Sequence, residues 1–206
     1  MEGVWDDGFD TADDVLKLFF ATSTSTTGNS GSLCSTDWDA NVEIDSGVFI
    51  PNEIHVCNDF FGVDIGWVGL SITWFIPATG EIIVAQTLLN DDFLQDPGNT
   101  TWFNNAARQL VVCQEVGHGL GVDHQNGRNK QTCMNRFFGV GDSAFIDPNQ
   151  HDFDQLAKIY SGGDDNGGNG GPKPCNPNRP NCPNEHRDFG TLSRVIHIIP
   201  APVPGS

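Results

Sequence analysis

Five residues between Gln114 and His124 have the types and spacing to hold a metal ion beside an acid–base group. In the stretch QEVGHGLGVDH, Gln114 and His118 lie four positions apart, so on a helix their side chains share one face. Glu115 comes next to the first of them and is placed to reach a water on the ion. Gly121 lets the backbone turn sharply, which can bring His124 back as a third ligand. Three protein ligands and one open position are typical of a catalytic zinc site.

This stretch resembles the extended zinc signature of metzincin proteases, H-E-x-x-H-x-x-G-x-x-H. It matches four of the five fixed positions and has Gln114 where the family has its first histidine. Met134 is similar to the family's Met-turn methionine, which lies beneath the metal. The resemblance covers roughly Val42 to Tyr160, and its specific part runs from Gln114 to Met134.

The resemblance implies a secreted, matrixin-like endopeptidase that depends on zinc. The ion would be held by Gln114, His118 and His124. Glu115 would act as the general base, taking a proton from a metal-activated water and passing it to the leaving amine. The substrate would be a protein or peptide in extended conformation that pairs with an edge strand, for which we expect Gly69–Phe75.

The glutamine at the first ligand position leaves the metal site open to several interpretations. An amide oxygen is a poorer zinc donor than imidazole. Mutating a residue that only hydrogen-bonds to a ligand typically lowers metal affinity roughly 10–100-fold, so replacing a ligand itself should lower it at least as much. Gln114 can ligate through its oxygen, or water or a histidine from elsewhere can take the position. His55 and His151 are the candidates within the predicted domain.

Two other functions remain compatible with the sequence. The chain can be a catalytically inactive, metzincin-like binding module with weak or no metal. It can also be one domain of a larger protein. Calcium is a further possible ion, because four aspartates could hold it, but they lack a recognisable loop pattern. These residues are Asp59, Asp64, Asp91 and Asp92.

The charge of the chain excludes several classes of partner. Its 206 residues include 27 acidic and 10 basic ones, which gives a formal net charge of −17. Such a chain repels phosphate backbones and anionic lipid, so we expect no nucleic-acid or membrane binding. No apolar run approaches the roughly 20 residues of a membrane span. We expect a monomer.

Six cysteines without a C-x-x-C pair indicate a secreted, disulfide-bonded protein. Sequential pairing is our expectation among fifteen possible connectivities. It would join Cys113 to Cys133 and so tie the metal-binding helix to the Met-turn. The other two pairs would be Cys34–Cys57 and Cys175–Cys182.

The expected fold is α+β, and hydrophobic patterns predict its main elements. Gly69–Phe75 and Glu81–Leu89 are predicted to form an antiparallel hairpin. A helix is predicted from Phe103 to His118, and a closing helix from the cap Asp147 to Tyr160. The resemblance adds a mixed, mostly parallel twisted sheet with an antiparallel edge strand.

The predicted domain organisation has three parts. Residues 1–161 form the metzincin-like domain, 162–172 a glycine-rich linker, and 173–206 a Pro- and Asn-rich tail with a possible local disulfide. Within this tail we predict one short strand, at Arg194–Ile199.

Overall fold

A computed structural model describes residues 53–127, 130–136, 143–160 and 192–201. The expected α+β class is confirmed, and the linker expected at 162–172 lies outside the described residues. None of the described helices is long and apolar enough to cross a membrane. The strands are β1 (Glu53–Asp59), β2 (Trp67–Phe75), β3 (Ile82–Asn90) and β4 (Ser193–Pro200). The helices are α1 (Asp91–Leu94), α2 (Asn105–Gly119) and α3 (Gln150–Tyr160).

The four strands form one mixed sheet in the order β1-β3-β2-β4. The predicted hairpin is confirmed, because β2 and β3 pair antiparallel across a short turn. β4 also pairs antiparallel with β2, and β1 with β3 is the parallel pair. The expectation of a mostly parallel sheet is therefore wrong for the described strands. A turn as short as the one between β2 and β3 allows only antiparallel pairing.

The strand expected to form the free edge of the sheet is paired on both sides. β2 lies between β3 and β4, and its Ser71 stands opposite Thr87 on one side and His197 on the other. The prediction of Gly69–Phe75 as an edge strand is therefore wrong. The strand predicted at Arg194–Ile199 is confirmed as β4, and it belongs to the sheet.

Helix α2 packs on one face of the sheet because the strands present small and hydroxyl-bearing side chains there. A Cβ on Gly69 would lie 2.7 Å from Val111 Cγ1, so only glycine permits the observed approach. Thr73 Oγ1 donates to the His118 carbonyl at 3.2 Å, and Thr87 Oγ1 donates to the helix in the same way. These bonds fix the register of the helix on the sheet.

The ends of the helices show why the predicted limits were close but not exact. At the start of α2, Asn104 caps the helix by accepting from the Ala107 backbone amide at 2.8 Å. Helix α3 begins at Gln150, so the prediction of Asp147 as its cap is wrong. Asn149 caps it instead by accepting from the His151 amide at 2.9 Å. The Asp147 carboxylate accepts from a glutamine side chain of α2.

Candidate metal centre

Helix α2 carries three of the predicted site residues in the buried interior. Gln114 and Glu115 have no exposed surface, and His118 is 2% exposed. The chain then reverses at Gly121, whose φ is 89°, and the Val122 amide donates back to the Gly117 carbonyl at 2.9 Å. This is a glycine-terminated helix end of the usual kind. It returns the following residues towards His118, as the sequence predicts.

The imidazoles of His118 and His124 face each other at a distance suited to one metal ion. His118 Nδ1 lies 2.9 Å from the Val122 carbonyl oxygen. That oxygen only accepts, so Nδ1 carries the proton and Nε2 keeps a free lone pair. The two Nε2 atoms are 3.2 Å apart. Two nitrogens bound to one tetrahedral zinc at its usual bond length are about 3.3 Å apart. The pair therefore fits a bound ion.

A third imidazole, that of His197 on β4, lies beside this pair. His197 is not among the ligands predicted from the sequence. The His197 ring stacks on the His118 ring with centroids 3.8 Å apart and planes 8° apart. The donor atoms of the three histidines lie within 4.8 Å of one another. Within the described part of the chain, this is the one group of His, Cys, Asp or Glu side chains that could hold a metal.

Neither histidine named as a possible substitute ligand belongs to this group. His55 is buried in β1, and His151 is exposed on α3 beside Gln155. The sequence does contain a signal for His197, because it is a titratable residue within the apolar run Val195–Ile199. A polar side chain in such a strand needs a partner when the strand packs.

Gln114 binds the turn around Met134 through its amide nitrogen. Its Nε2 donates to the backbone carbonyls of Cys133, at 2.8 Å, and Asn135, at 3.3 Å. Both partners only accept, so the reversed amide orientation would oppose oxygen to oxygen. The Oε1 atom, which is the one that can ligate a metal, is buried without a hydrogen-bond partner among the described residues.

The Glu115 carboxylate is buried against the sheet and has no competing hydrogen bond there. A Cβ on Gly69 would lie 3.1 Å from Glu115 Oε1, so glycine provides the space that the carboxylate occupies. Neither carboxylate oxygen has a hydrogen-bond partner among the described residues. Burial raises the pKa of Glu115 well above its ordinary value. The Ile199 backbone amide opposes this shift without reaching hydrogen-bond geometry.

The surroundings of the three imidazoles lower the pKa of each of them. Burial lowers the pKa of His118 well below its ordinary value, and the charges of His197 and His124 lower it further. Burial and His197 also lower the pKa of His124. Burial lowers the pKa of His197, although Asp123 opposes this shift. Neutral imidazole is the form that binds metal, so these pKa shifts favour ligation.

The turn around Met134, the residue predicted as the Met-turn methionine, is fixed at several points. Met134 is fully buried, and its carbonyl accepts from the Gln125 amide at 2.7 Å. The predicted Cys113–Cys133 disulfide is confirmed, with the two Cα atoms 5.9 Å apart. Asp152 accepts hydrogen bonds from the side chains of Gln125 and Thr132. The loop after His124 is therefore joined to both α2 and α3.

The other predicted disulfides are described only at Cys57, and none of the candidate calcium residues belongs to the His118, His124 and His197 group. Cys57 is disulfide-bonded, whereas its expected partner Cys34 and the expected pair Cys175–Cys182 lie outside the described residues. The Asp91 carboxylate accepts from Asn58 and Gln95 side chains, both at 2.7 Å. Asp92 accepts from the backbone amide of Gly62 at 2.6 Å. These two carboxylates therefore hold the chain around α1 in place through hydrogen bonds.

Comparison with known proteins adds no assignment. The chain matches no protein-family model, no curated protein and no solved structure. What the centre does is therefore inferred from its own geometry.

Proposed function

We propose that this chain is a metzincin-type, metal-dependent endopeptidase. His118 and His124 hold a zinc ion, and Glu115 is the general base. The observation that carries the proposal is the pair of Nε2 atoms 3.2 Å apart. One of them belongs to His118 on α2, where the neighbouring Glu115 carboxylate is buried and has no hydrogen-bond partner among the described residues. A structural role alone does not account for burying a carboxylate in this way, since an unpaired buried charge destabilises a fold.

The donor set fits zinc because it consists of neutral imidazoles. Imidazole suits zinc and several other transition metals, whereas magnesium and calcium prefer oxygen. The Val122 carbonyl orients the His118 ring, as the outer partners of metal-bound histidines do. When bound, the ion polarises a carbonyl group and lowers the pKa of water.

Glu115 has the properties required of a residue that takes up and releases a proton. No hydrogen bond from the described residues holds its carboxylate in the ionised state. Burial raises its pKa well above the ordinary value, and raising the pKa of a carboxyl group is the way enzymes adapt it to general acid–base catalysis. Its carboxylate lies at the boundary between α2 and β2, beside Gly69.

We further propose that the substrate is an extended polypeptide and that the protein is secreted. An extended chain can pair with β2 by main-chain hydrogen bonds, a general mode of peptide recognition, only in the place that β4 occupies. The Cys113–Cys133 disulfide and the disulfide-bonded Cys57 support secretion, because such bonds persist in oxidising compartments.

One observation favours the alternative of a non-catalytic binding module. β4 already pairs with β2 beside the site, and Glu115 has no exposed surface. In that case the metal would only fasten β4 to α2, and no peptide would be cleaved.

An activity assay with one matched pair of variants distinguishes the two functions. We expect the zinc-loaded full chain to cleave casein and to lose this activity with a chelator. Glu115→Gln should reduce cleavage by about 10²–10⁴-fold, as expected for loss of a general base, while zinc content by elemental analysis stays the same. Glu81→Gln, in the turn between β2 and β3, is the control and should cleave normally. Zinc-loaded protein that never cleaves would support the binding module.

A further inference from the structure

The C-terminal strand β4 brings a third imidazole to a centre whose predicted first ligand is an amide. β4 runs antiparallel along β2, with His197 directly opposite Ser71. Directly opposed residues point to the same face of a sheet. His197 therefore lies on the α2 face, where its ring stacks on His118.

We propose that His197 is the third protein ligand of the metal and takes the place that the spacing assigns to Gln114. A metal held in this way fastens β4 across the edge of β2. The chemistry of the donors supports the assignment, because a third imidazole is a better zinc ligand than an amide oxygen. Gln114 already makes other contacts, since its amide nitrogen donates to the backbone carbonyls of Cys133 and Asn135.

The observed distances require only a small closure around the ion. The three donor atoms lie within 4.8 Å of one another, whereas tetrahedral zinc places its nitrogens about 3.3 Å apart. The closure is therefore no more than about 1.5 Å. β4 is the outer strand in the sheet order, and its neighbouring residues Val195 and Ile198 are 41% and 52% exposed. A rotation of the His197 side chain can supply a movement of this size, so Ile199, which is buried in the core on the same strand, need not move.

Ser71 provides a second, independent observation at the same place. Its side-chain oxygen is buried and has no hydrogen-bond partner among the described residues. Cβ atoms of directly opposed residues are about 4.5–5.5 Å apart, so we assign the Ser71 hydroxyl as the partner of the second nitrogen of the His197 ring when the metal is bound. A liganding histidine almost always uses its other nitrogen in such a bond. Ser71 is thus a positioning residue for His197.

A metal-fastened β4 would also control access to the proposed catalytic centre, and this consequence rests on the proposed function. Ile199 pairs with Gly69, the residue against which Glu115 packs. β2 is paired with β3 on its other side. A peptide that is to run along β2 past Glu115 must therefore take the place of β4. Release of β4 would withdraw His197 and open one position on the ion.

Metal titration of the full chain tests the ligand assignment without relying on activity. We expect His197→Ala to weaken zinc binding at least about tenfold and to change the visible absorption of the cobalt-substituted protein. Ser71→Ala should weaken binding by a smaller factor. His151→Ala removes an exposed histidine of α3 and is the matched control. Equal zinc affinity in the His197→Ala and His151→Ala variants would overturn the proposal.

A measurement on the unaltered protein makes the result independent of how well the variants fold. We expect the ring nitrogen resonances of His118, His124 and His197 to shift together on zinc addition, while that of His151 stays in place. A stationary His197 signal would also overturn the proposal.

Casein cleavage at saturating zinc then separates this inference from the proposed function. We expect His197→Ala to cleave several-fold faster than the unaltered chain, because β4 is no longer fastened. If its zinc affinity falls and no form of the protein cleaves, the ligand assignment stands and the protease proposal fails. If the unaltered chain cleaves and zinc affinity does not depend on His197, the protease proposal stands and the ligand assignment fails.

Discussion

Substitution of Gly69 by alanine should push α2 away from the sheet and disturb the centre. The added Cβ would lie 2.7 Å from Val111 Cγ1 and 2.9 Å from Glu115 Cγ. Carbon atoms in ordinary contact are about 3.5–4.0 Å apart, so the helix or strand must withdraw by about 1 Å. Overpacking of a dense interior typically costs about 1–3 kcal/mol.

Urea unfolding of the oxidised protein measures this cost directly. With a slope of about 2–3 kcal/mol per M, Gly69→Ala should lower the midpoint by about 0.3–1.5 M. Gly98→Ala is the control, because its Cβ would meet only the carboxylate of Asp96, at 3.2 Å, in an exposed turn. We expect the control to stay within about 0.5 kcal/mol of the unaltered protein. Equal midpoints for the two variants would refute the close packing of α2 on β2.

Three further changes have expected outcomes. Because burial raises the pKa of Glu115, its carboxyl group binds a proton more tightly folded than unfolded. The metal-free protein should therefore lose stability as pH rises above about 4.3, and Glu115→Gln should reduce this loss in thermal unfolding from pH 4 to 7. Replacing Cys113 and Cys133 together by alanine opens a link of sequence separation 20 and should cost about 3 kcal/mol in denaturant unfolding. Asp152→Ala removes the acceptor of the Thr132 hydroxyl and should lower stability by about 1–3 kcal/mol; an unchanged midpoint would show that this bond does not hold the Met-turn.

The parts of the fold that sequence reasoning predicted are those governed by local patterns. The helix carrying Gln114 and His118 follows from apolar residues at three- and four-residue spacing, and it ends near Gly121 as expected. The β2–β3 hairpin follows from two apolar runs and a short turn. In each case the interacting residues are near one another in sequence, so the pattern contains the whole signal.

The parts that sequence reasoning missed depend on long-range pairing or on competition between neighbours. The strand β4 was predicted, but its partner was not, because nothing local to His197 specifies Ser71 more than a hundred positions earlier. The sequence therefore predicts Gly69–Phe75 of β2 as a free edge strand, whereas it pairs with β4. At α3, both Asp147 and Asn149 can cap a helix, and the choice depends on the contact of Asp147 with α2.

Zinc K-edge X-ray absorption of the loaded full chain tests the central claim most directly. If the imidazoles of His118, His124 and His197 converge on one ion, the spectrum should show three histidine nitrogens at about 2.0–2.1 Å. A spectrum with one imidazole or none, at one zinc per chain, would contradict the account.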